Sequence, residues 1–476
     1  MIASETNPDH EGLESTVAQA KSSATMNLLL EFLEIPGNVL LIQGAPGTGK
    51  TSLALELLKA MQESHRVYAS TRVSPIKLRI EFPWIDEVID SMSGRSSKAK
   101  SDEFYDLRGS DTDSALAKVI RLKQAKQKSV LVVDSWEGAL RNGTPEGRRM
   151  LETAILSELD QTKVSVILVS EAEKEDSLGY LVDGVVTLEH SKLDGRRMRS
   201  LQVDKLRGFR VENQYFPFSL EKGRFTFMNG EYEEGPPTIL KSPETIMHTT
   251  THYSTGSREL DRLLGGGVRK GSFFLIDSEN SVSPQSLRLL INMVRSNFVN
   301  QGGACFSVST GSFSSESLAE SLRPYVGDKA LEERVRIVEF NSQLPSKPWI
   351  LKPRGQQMRD LADSYKAWDA LKETSAGMMV TFDFDRLVQV YGEDLTLPGF
   401  AEIEEGLRDD KTFSVGVSSR PTKLRDEFLR QADYHIKVQD WNGHLLLYGV
   451  KPFTHVHGAA FTFDKGYPSL DLVEIV

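Results

Sequence analysis

One short stretch has the residue types and spacing needed to hold a phosphate group. GAPGTGKT, at residues 44–51, fits the pattern G-x-x-x-x-G-K-[ST] in full. Glycines let the backbone curl so that successive N–H groups point at phosphate oxygens, and the following helix adds the positive end of its dipole. The pattern predicts a nucleotide-binding loop made of Gly44, Ala45, Pro46, Gly47, Thr48, Gly49, Lys50, Thr51 and Ser52.

Three residues have expected roles in nucleotide chemistry. Lys50 is placed to reach the β- and γ-phosphates, and Thr51 to supply a hydroxyl to Mg²⁺. Asp134 ends the apolar run VLVVD, where an acid in such sites holds Mg²⁺, usually through water. A helix cap is the alternative role for Asp134. The cofactors that we expect are ATP and Mg²⁺.

The group that would orient an attacking water is marked less clearly. Hydrolysis needs such a group, and two glutamates are candidates. Glu137 lies three residues after Asp134, and Glu171 follows the apolar run VSVILVS. Neither lies in a diagnostic motif, so surface charge is the alternative role for both. The candidate catalytic residues are Lys50, Glu137 and Glu171.

The elements around the loop occur twice in the chain. Residues 38–43 form an apolar run typical of a buried strand, and residues 51–61 have leucines and alanines at helical spacing. About half the chain later, GSFFLIDSENSVSPQSLRLLINMV repeats the order glycine, apolar strand, polar loop and helix. Further apolar segments follow in the same order in both halves. Strands that alternate with helices predict α/β domains with mostly parallel sheets flanked by helices.

The second copy lacks the residues that make a phosphate loop. SENSVSPQ stands in its place, with no lysine and no glycine. Glu279 would repel phosphate, and Pro284 has no N–H group to donate. Asp383 and Asp385 remain at the position of a metal-binding acid, and we expect them to be caps or ion-pair partners. We predict that this copy does not bind ATP through a P-loop.

Composition suggests the boundaries of the domains. A polar tail is predicted at residues 1–25, an ATP-binding domain at 26–235, a linker rich in Pro, Gly and Glu at 236–245, and a degenerate domain at 246–476. Residues 90–114 lack apolar periodicity, which predicts an exposed loop within the first domain.

Bulk properties exclude several classes of protein. The net charge of −10 does not favour extensive binding to DNA. Cys305 is the only cysteine, which rules out an internal disulfide and fits a reducing cytosol. No apolar run approaches the ~18 residues that cross a bilayer, and the amino-terminal segment is no secretory signal. We expect a cytoplasmic protein without membrane contacts.

One basic stretch, LDGRRMRSLQVDKLRGFR, carries two groups of cations. Lys205 and Arg207 alternate on a predicted strand and share a face, which suits the phosphates of a neighbouring subunit in the manner of an arginine finger. Arg196, Arg197 and Arg199 are predicted to lie in a Gly-containing turn between two strands. They form either a solvated hairpin tip or a contact for an acidic partner or nucleic acid.

These segments resemble RecA-superfamily P-loop ATPases of the KaiC type, which have two tandem domains. GAPGTGKTSLALELL, SVLVVDSWEG, VSVILVSEAEK, LVDGVVTLEH and LQVDKLRGF follow the order of blocks in that family. STGSRELDRLLGGGVRKGS, at residues 254–272, resembles the family's TG-x-x-x-LD-x-x-LGGG segment. Within the group, STRVSP at residues 70–75 resembles GvpD-like proteins, which are named for regulators of gas-vesicle genes.

The resemblance implies ATP bound at subunit interfaces, often in hexameric rings, with Lys205 and Arg207 contributing to a neighbour's nucleotide. The family usually has two glutamates after the second strand as the base for water. Thr71 and Arg72 stand there instead, which implies slow hydrolysis if the protein is an ATPase. In the second domain Lys451 remains, but Phe453 replaces the arginine.

We therefore expect a cytoplasmic ATP-binding regulatory protein with one active and one degenerate RecA-like domain. A homo-oligomer and contacts with a protein regulator are the expected partners. Two alternatives share this fold: a recombinase-like protein that acts on DNA, and a non-catalytic scaffold in which the nucleotide is structural.

Overall fold

The chain divides into two compact units, residues 1–229 with 475–476, and residues 230–474. The computed structural model describes residues 24–88, 103–109, 112–124, 127–141, 143–157, 162–171, 178–228, 242–308, 314–340, 347–351, 365–419 and 425–476. The predicted tail lies outside the described residues except for its last two positions, which begin a helix. Most of the predicted linker also lies outside them.

The first unit is built on one twisted sheet. Its strands are β1 (Val39–Gly44), β2 (His65–Ser70), β3 (Glu103–Asp106), β4 (Ser129–Asp134), β5 (Val164–Val169), β6 (Gly184–Leu193), β7 (Arg196–Leu206), β8 (Tyr215–Ser219) and β9 (Thr226–Phe227). Over the described residues the order across the sheet is β3-β2-β4-β5-β1-β6-β7-β8-β9. Strands β1 to β6 pair in parallel, and β6 to β9 pair antiparallel.

Helices cover both faces of this sheet. They are α1 (Ala24–Glu34), α2 (Lys50–Ala60), α3 (Pro75–Glu81), α4 (Thr112–Gln124), α5 (Trp136–Leu140), α6 (Pro145–Leu156) and α7 (Leu178–Leu181). Alternate residues of the central strand β1 enter two different cores, Leu40 and Ile42 one core, and Val39 and Leu41 the other. Burial on both faces is why this strand is a continuous apolar run.

The second unit repeats the plan. Its strands are β10 (His252–Tyr253), β11 (Val268–Arg269), β12 (Phe273–Ser278), β13 (Ala304–Val308), β14 (Val335–Val338), β15 (Ile350–Leu351), β16 (Met378–Asp383), β17 (Phe413–Ser418), β18 (Tyr434–Trp441), β19 (His444–Lys451), β20 (His457–Thr462) and β21 (Ser469–Glu474). Its helices are α8 (Arg258–Leu263), α9 (Pro284–Asn300), α10 (Ser315–Arg334), α11 (Tyr365–Thr374), α12 (Phe384–Tyr391), α13 (Glu393–Asp409) and α14 (Arg425–Gln431).

The two large sheets share their central strand order. The run β13-β16-β17-β12-β18-β19 in the second unit corresponds to β2-β4-β5-β1-β6-β7 in the first. The predicted fold class, two tandem RecA-like α/β domains with mostly parallel sheets, is confirmed. In the described part of the chain, no helix is both long and apolar enough to cross a membrane.

The segment at residues 90–114, predicted to be a loop, contains regular structure. Strand β3 pairs in parallel with β2, and α4 begins at Thr112. The strand is short and lies at the edge of the sheet, and its sequence EFYD is too brief to show a period. It is held by cross-strand packing, with the ring of Phe104 stacked at 5.8 Å from that of Tyr68.

Candidate nucleotide site

The phosphate loop connects the carboxyl end of β1 to the amino end of α2. Gly44, Gly47 and Gly49 have φ angles of +144°, +77° and +103°, which side-chain-bearing residues rarely adopt. A Cβ atom on Gly44 would lie 2.3 Å from the carbonyl oxygen of Leu188, so the backbone there passes too close to β6 for any other residue. The hydroxyl of Thr48 donates to the carbonyl of Ala45 at 2.9 Å and closes the curve of the loop.

Lys50 lies inside this curve. Its Nζ atom donates to the carbonyl oxygens of Gly44 at 2.5 Å and Ala45 at 2.9 Å, and its side chain is buried. Burial lowers the pKa of Lys50 from its usual value, while the charges of Asp134 and Glu137 act in the opposite direction. The first residue of α2 thus places a buried cation against the backbone of the loop, an arrangement that fits a phosphate chain.

The side chains of Thr51 and Asp134 are in contact at the end of the phosphate loop. The Thr51 hydroxyl donates to Oδ2 of Asp134 at 2.7 Å, joining the first turn of α2 to the carboxyl end of β4. A hydroxyl beside a carboxylate at the mouth of a phosphate loop is a donor set that suits Mg²⁺ with a nucleotide. Together with the curved loop and the buried Lys50, this pair shows that the residues present fit a magnesium nucleotide.

The two candidate water-orienting glutamates have different surroundings. Glu137, in the first turn of α5, accepts a hydrogen bond from the Ser170 hydroxyl and one of 3.2 Å from the Glu171 backbone N–H. Its carboxylate is fixed at the ends of β4 and β5. The Glu171 side chain instead forms an ion pair with Arg72.

Thr71 is one of the two residues that stand where the resemblance to KaiC-type proteins implies glutamates, and its hydroxyl has a structural role. Its hydroxyl accepts a hydrogen bond of 2.8 Å from the Ser135 backbone N–H and donates one of 3.0 Å to the Ser135 carbonyl oxygen. These bonds tie the end of β2 to the turn that follows Asp134. Thr71 therefore holds the backbone, and the other residue at this place, Arg72, is a cation paired with Glu171.

Lys205 and Arg207 lie away from the phosphate loop of their own chain. Lys205 on β7 pairs with Val185 on β6, and Val185 pairs with Leu41 on β1. Leu41 precedes Gly44 by three residues, a distance of about 10 Å along the strand. The Lys205 Nζ atom donates to the Val182 carbonyl at 2.5 Å.

Arg207 is the more accessible of these two cations. It binds Asp183 at 2.9 Å, and its side chain is 64% exposed. Lys451 of the second unit corresponds to Lys205 and likewise donates to carbonyls at the end of a helix, those of Leu429 and Ala432, at 2.8 and 3.0 Å. Because this contact recurs in the unit whose loop is degenerate, it accounts for the lysine without any phosphate.

The three arginines near the β6–β7 turn do not form the solvated tip that the sequence had as one alternative. Arg197 is exposed, but Arg196 and Arg199 lie on β7 with buried side chains. The Nη1 atom of Arg199 donates to the carbonyl oxygen of Gly47 at 3.0 Å. On β6, Leu188 pairs with Gly44, and His190, two residues further along, pairs with Arg199 on β7. Strand β7 therefore places Arg199 beside the phosphate loop.

A further contact at the site comes from Tyr68, which the sequence did not single out. Its hydroxyl donates to Oδ2 of Asp134 at 2.7 Å. Burial, followed by the Asp134 charge, holds the pKa of Tyr68 well above its usual value, so the phenol stays protonated and can donate. In sequence this residue looks like any aromatic of an apolar strand, and only the pairing of β2 with β4 reveals its partner.

The corresponding loop of the second unit is held by its own side chains. The carboxylate of Glu279 binds Lys437 of β18 at 3.0 Å, and Ser283 caps α9 by accepting from the Ser286 N–H at 3.0 Å. Asp383 caps α12 through the Arg386 N–H at 2.8 Å, and Asp385 accepts from the Ser419 N–H at 2.8 Å. Asp383 has the cap role expected of it, whereas Asp385 accepts hydrogen bonds from the N–H and hydroxyl of Ser419.

Comparison with known proteins agrees with this architecture. Residues 30–204 match the family model described as GvpD gas vesicle protein, P-loop domain. The chain is 24% identical to protein GvpD1 of Halobacterium salinarum, over 94% of this chain and 95% of that protein. It is 25% identical to protein GvpD2 of the same organism, over 98% of both.

A second group of relatives covers about half of the chain. The circadian clock oscillator protein KaiC of Parathermosynechococcus lividus is 25% identical over 53% of this chain and 48% of its own length. Residues 30–204 thus contain a P-loop domain of the GvpD type, and the chain resembles KaiC- and GvpD-type P-loop proteins of the RecA superfamily. The resemblance read from the sequence is confirmed, and the P-loop of this KaiC- and GvpD-like protein implies that it binds a nucleotide.

Proposed function

We propose that the first unit binds ATP with Mg²⁺, and that the bound nucleotide regulates contacts of this protein with other subunits or with a protein partner. The observation that carries the proposal is the junction of Thr51 and Asp134 at 2.7 Å beside the buried Lys50. Loop N–H groups and Lys50 would hold the phosphates, while Thr51 and Asp134 would hold the metal. The metal supplies neutralising charge to the phosphate oxygens when bound.

Hydrolysis in this site is proposed to be slow. Thr71 is tied to the backbone of Ser135, and Arg72 pairs with Glu171, so neither residue after β2 acts as a base. Glu137 is the better placed of the two candidate glutamates, because its carboxylate lies at the ends of β4 and β5 and its charge acts on Lys50. Slow turnover suits a switch, in which the lifetime of the bound state matters more than flux.

A neighbouring subunit is the proposed target of Arg207. This side chain lies at the amino-terminal end of the strands and is largely exposed, so it serves another chain's nucleotide more readily than its own. The bond from Lys205 to the Val182 carbonyl fixes the adjacent backbone and so holds the strand end that presents Arg207. Both GvpD relatives match over nearly their whole length, which supports a shared role for the tandem arrangement.

The test is a measurement of molecular size with and without Mg-ATP, run alongside a phosphate-release assay on the full chain. A larger assembly with ATP and slow phosphate release supports a nucleotide-controlled oligomer. An unchanged size with no release reduces the nucleotide to a structural ligand, and no ATP binding at all contradicts the proposal.

A further inference from the structure

We propose that Tyr68 is a positioning residue for the metal carboxylate, its phenol hydroxyl holding Asp134 in the orientation that receives Mg²⁺ with the nucleotide. This inference rests on the proposed magnesium nucleotide site. It concerns a residue outside the phosphate loop and outside the strand that carries Asp134.

The sheet register explains how Tyr68 reaches Asp134. Tyr68 on β2 lies opposite Val132 on β4, and Asp134 is two residues further along. Residues two apart in a strand share a face and are separated by about 6.6 Å, which is close to the reach of a tyrosine side chain. The hydroxyl therefore arrives at the carboxylate while the ring packs in the core beside Val132.

The tyrosine has little freedom to move. Its side chain is 1% exposed, and its ring stacks on Phe104 with an interplanar angle of 16°. A buried phenol needs an acceptor, and a hydroxyl that donates to a carboxylate makes a strong, short bond. The 2.7 Å bond to Asp134 provides that acceptor. Because the ring is fixed by packing, the bond also fixes the orientation of the carboxylate.

Both donors to Asp134 bind the same oxygen. Thr51 and Tyr68 each lie 2.7 Å from Oδ2, so among the described residues Oδ1 is the oxygen left to accept a metal-bound water. Thr51 has a second task, since its own oxygen would bind the metal. Tyr68 has no such task, and its bond to Oδ2 sets the rotation of the carboxylate about χ2.

The experiment compares wild type with Tyr68→Phe in the full chain, using Tyr105→Phe as the matched control. Tyr105 also lies in the first unit, and its hydroxyl also donates to a carboxylate, that of Glu103. The affinity for an ATP analogue is measured with Mg²⁺ and in EDTA. Binding of Mn²⁺ to the protein–nucleotide complex is measured by electron paramagnetic resonance.

Tyr68→Phe is expected to weaken Mn²⁺ binding and the magnesium-dependent part of nucleotide binding about tenfold, on the general scale for a lost bond to a charged group. Affinity in EDTA should change less than about twofold, and Tyr105→Phe should match wild type. Asp134→Asn should remove the metal dependence, and adding Tyr68→Phe to it should then have no further effect.

Three results would overturn the inference. They are equal losses with and without metal, unchanged Mn²⁺ binding in Tyr68→Phe, and a Tyr68→Phe protein that fails to fold, which would show the hydroxyl to serve stability. Failure of the proposed function itself looks different, because wild type would then bind no nucleotide in either condition.

Discussion

Arg199 donates a hydrogen bond of 3.0 Å from its Nη1 atom to the carbonyl oxygen of Gly47, at the outer side of the phosphate loop. The bond joins β7, and with it the β6–β7 hairpin, to the loop that would enclose the phosphates. Gly47 has a positive φ angle and no side chain of its own to brace it. Arg199 is therefore a brace for the loop as well as a nearby positive charge.

We predict that Arg199→Ala weakens ATP and ADP binding alike, by about fivefold or more, because a charge-assisted hydrogen bond and a cation are lost together. Arg199→Lys should recover part of the loss by restoring the charge. Arg197→Ala is the matched control, since Arg197 is an exposed arginine of the same strand. Calorimetric titration of each variant checks this, and equal losses in Arg197→Ala and Arg199→Ala would reduce the effect to net charge.

Lys50→Ala should weaken ATP binding about tenfold or more. The ammonium of Lys50 is buried against the loop, where it would supply charge-assisted contacts to phosphate. Lys59→Ala, in the last turn of the same helix, removes an equal charge and should bind ATP as wild type does. The measurement is equilibrium binding of a fluorescent ATP analogue, and wild-type affinity in Lys50→Ala would place the nucleotide elsewhere.

Glu137→Gln should slow phosphate release by at least about tenfold while leaving ATP affinity within about twofold. A positioned base contributes on the order of a hundredfold or more to such reactions, and an amide cannot take a proton from water. Glu171→Gln should have a smaller effect, because the Glu171 carboxylate is paired with Arg72. Single-turnover phosphate release separates the two, and a reversed order would make Glu171 the water-orienting residue.

The second unit should lose stability in mild acid. Burial, with a smaller contribution from Lys270, lowers the pKa of His248 to about 4. Its ring contacts Tyr253 and Phe298, with centroids 5.1 and 5.2 Å away. The unfolded chain takes up a proton near pH 6.5 and the folded unit only near pH 4, so stability falls as the pH drops through that window.

The free energy of unfolding of the second unit should fall by up to about 2 kcal/mol across this pH window, after allowance for the partial exposure of His248. His248→Phe keeps the ring contacts and removes the titration. The variant should be less stable at pH 7, because the Ser254 N–H loses its acceptor, but its melting temperature should fall less between pH 7 and pH 4.5. An equal fall in wild type and variant would exclude His248 as the source.

The sequence predicted the parts of this molecule that depend on local pattern. The phosphate loop, the apolar strands around it and the repetition of the whole unit follow from glycine spacing and hydrophobic periodicity. Strand β3 was missed because an edge strand of four residues has no measurable period. Its existence depends on pairing with β2, which only the folded sheet supplies.

Residues that reach the site from other strands were beyond local pattern. The strand register brings Tyr68 to the site across the β2–β4 pair, and it brings Arg199 to the site from β7, the strand beyond β6. Neither has a spacing that distinguishes it from an ordinary core aromatic or a hairpin cation. The strand register was also needed to show that Lys205 lies away from the phosphate loop of its own chain. Sequence alone does not tell at which end of a sheet a residue lies.

The loops after β1 and β12 differ in a way that predicts one nucleotide site per chain. In the first, the buried Lys50 donates to the carbonyl oxygens of Gly44 and Ala45 in the loop. In the second, Pro284 begins the helix and Lys437 is bound to Glu279, so an internal ion pair takes the place of a phosphate contact.

The most direct test is the stoichiometry of Mg-ATP binding to the full chain by isothermal titration calorimetry, with Lys50→Ala beside wild type. We predict one ATP per chain in wild type and about tenfold or greater loss of affinity in Lys50→Ala. Two ATP per chain, or one that binds Lys50→Ala as tightly as wild type, would contradict the account.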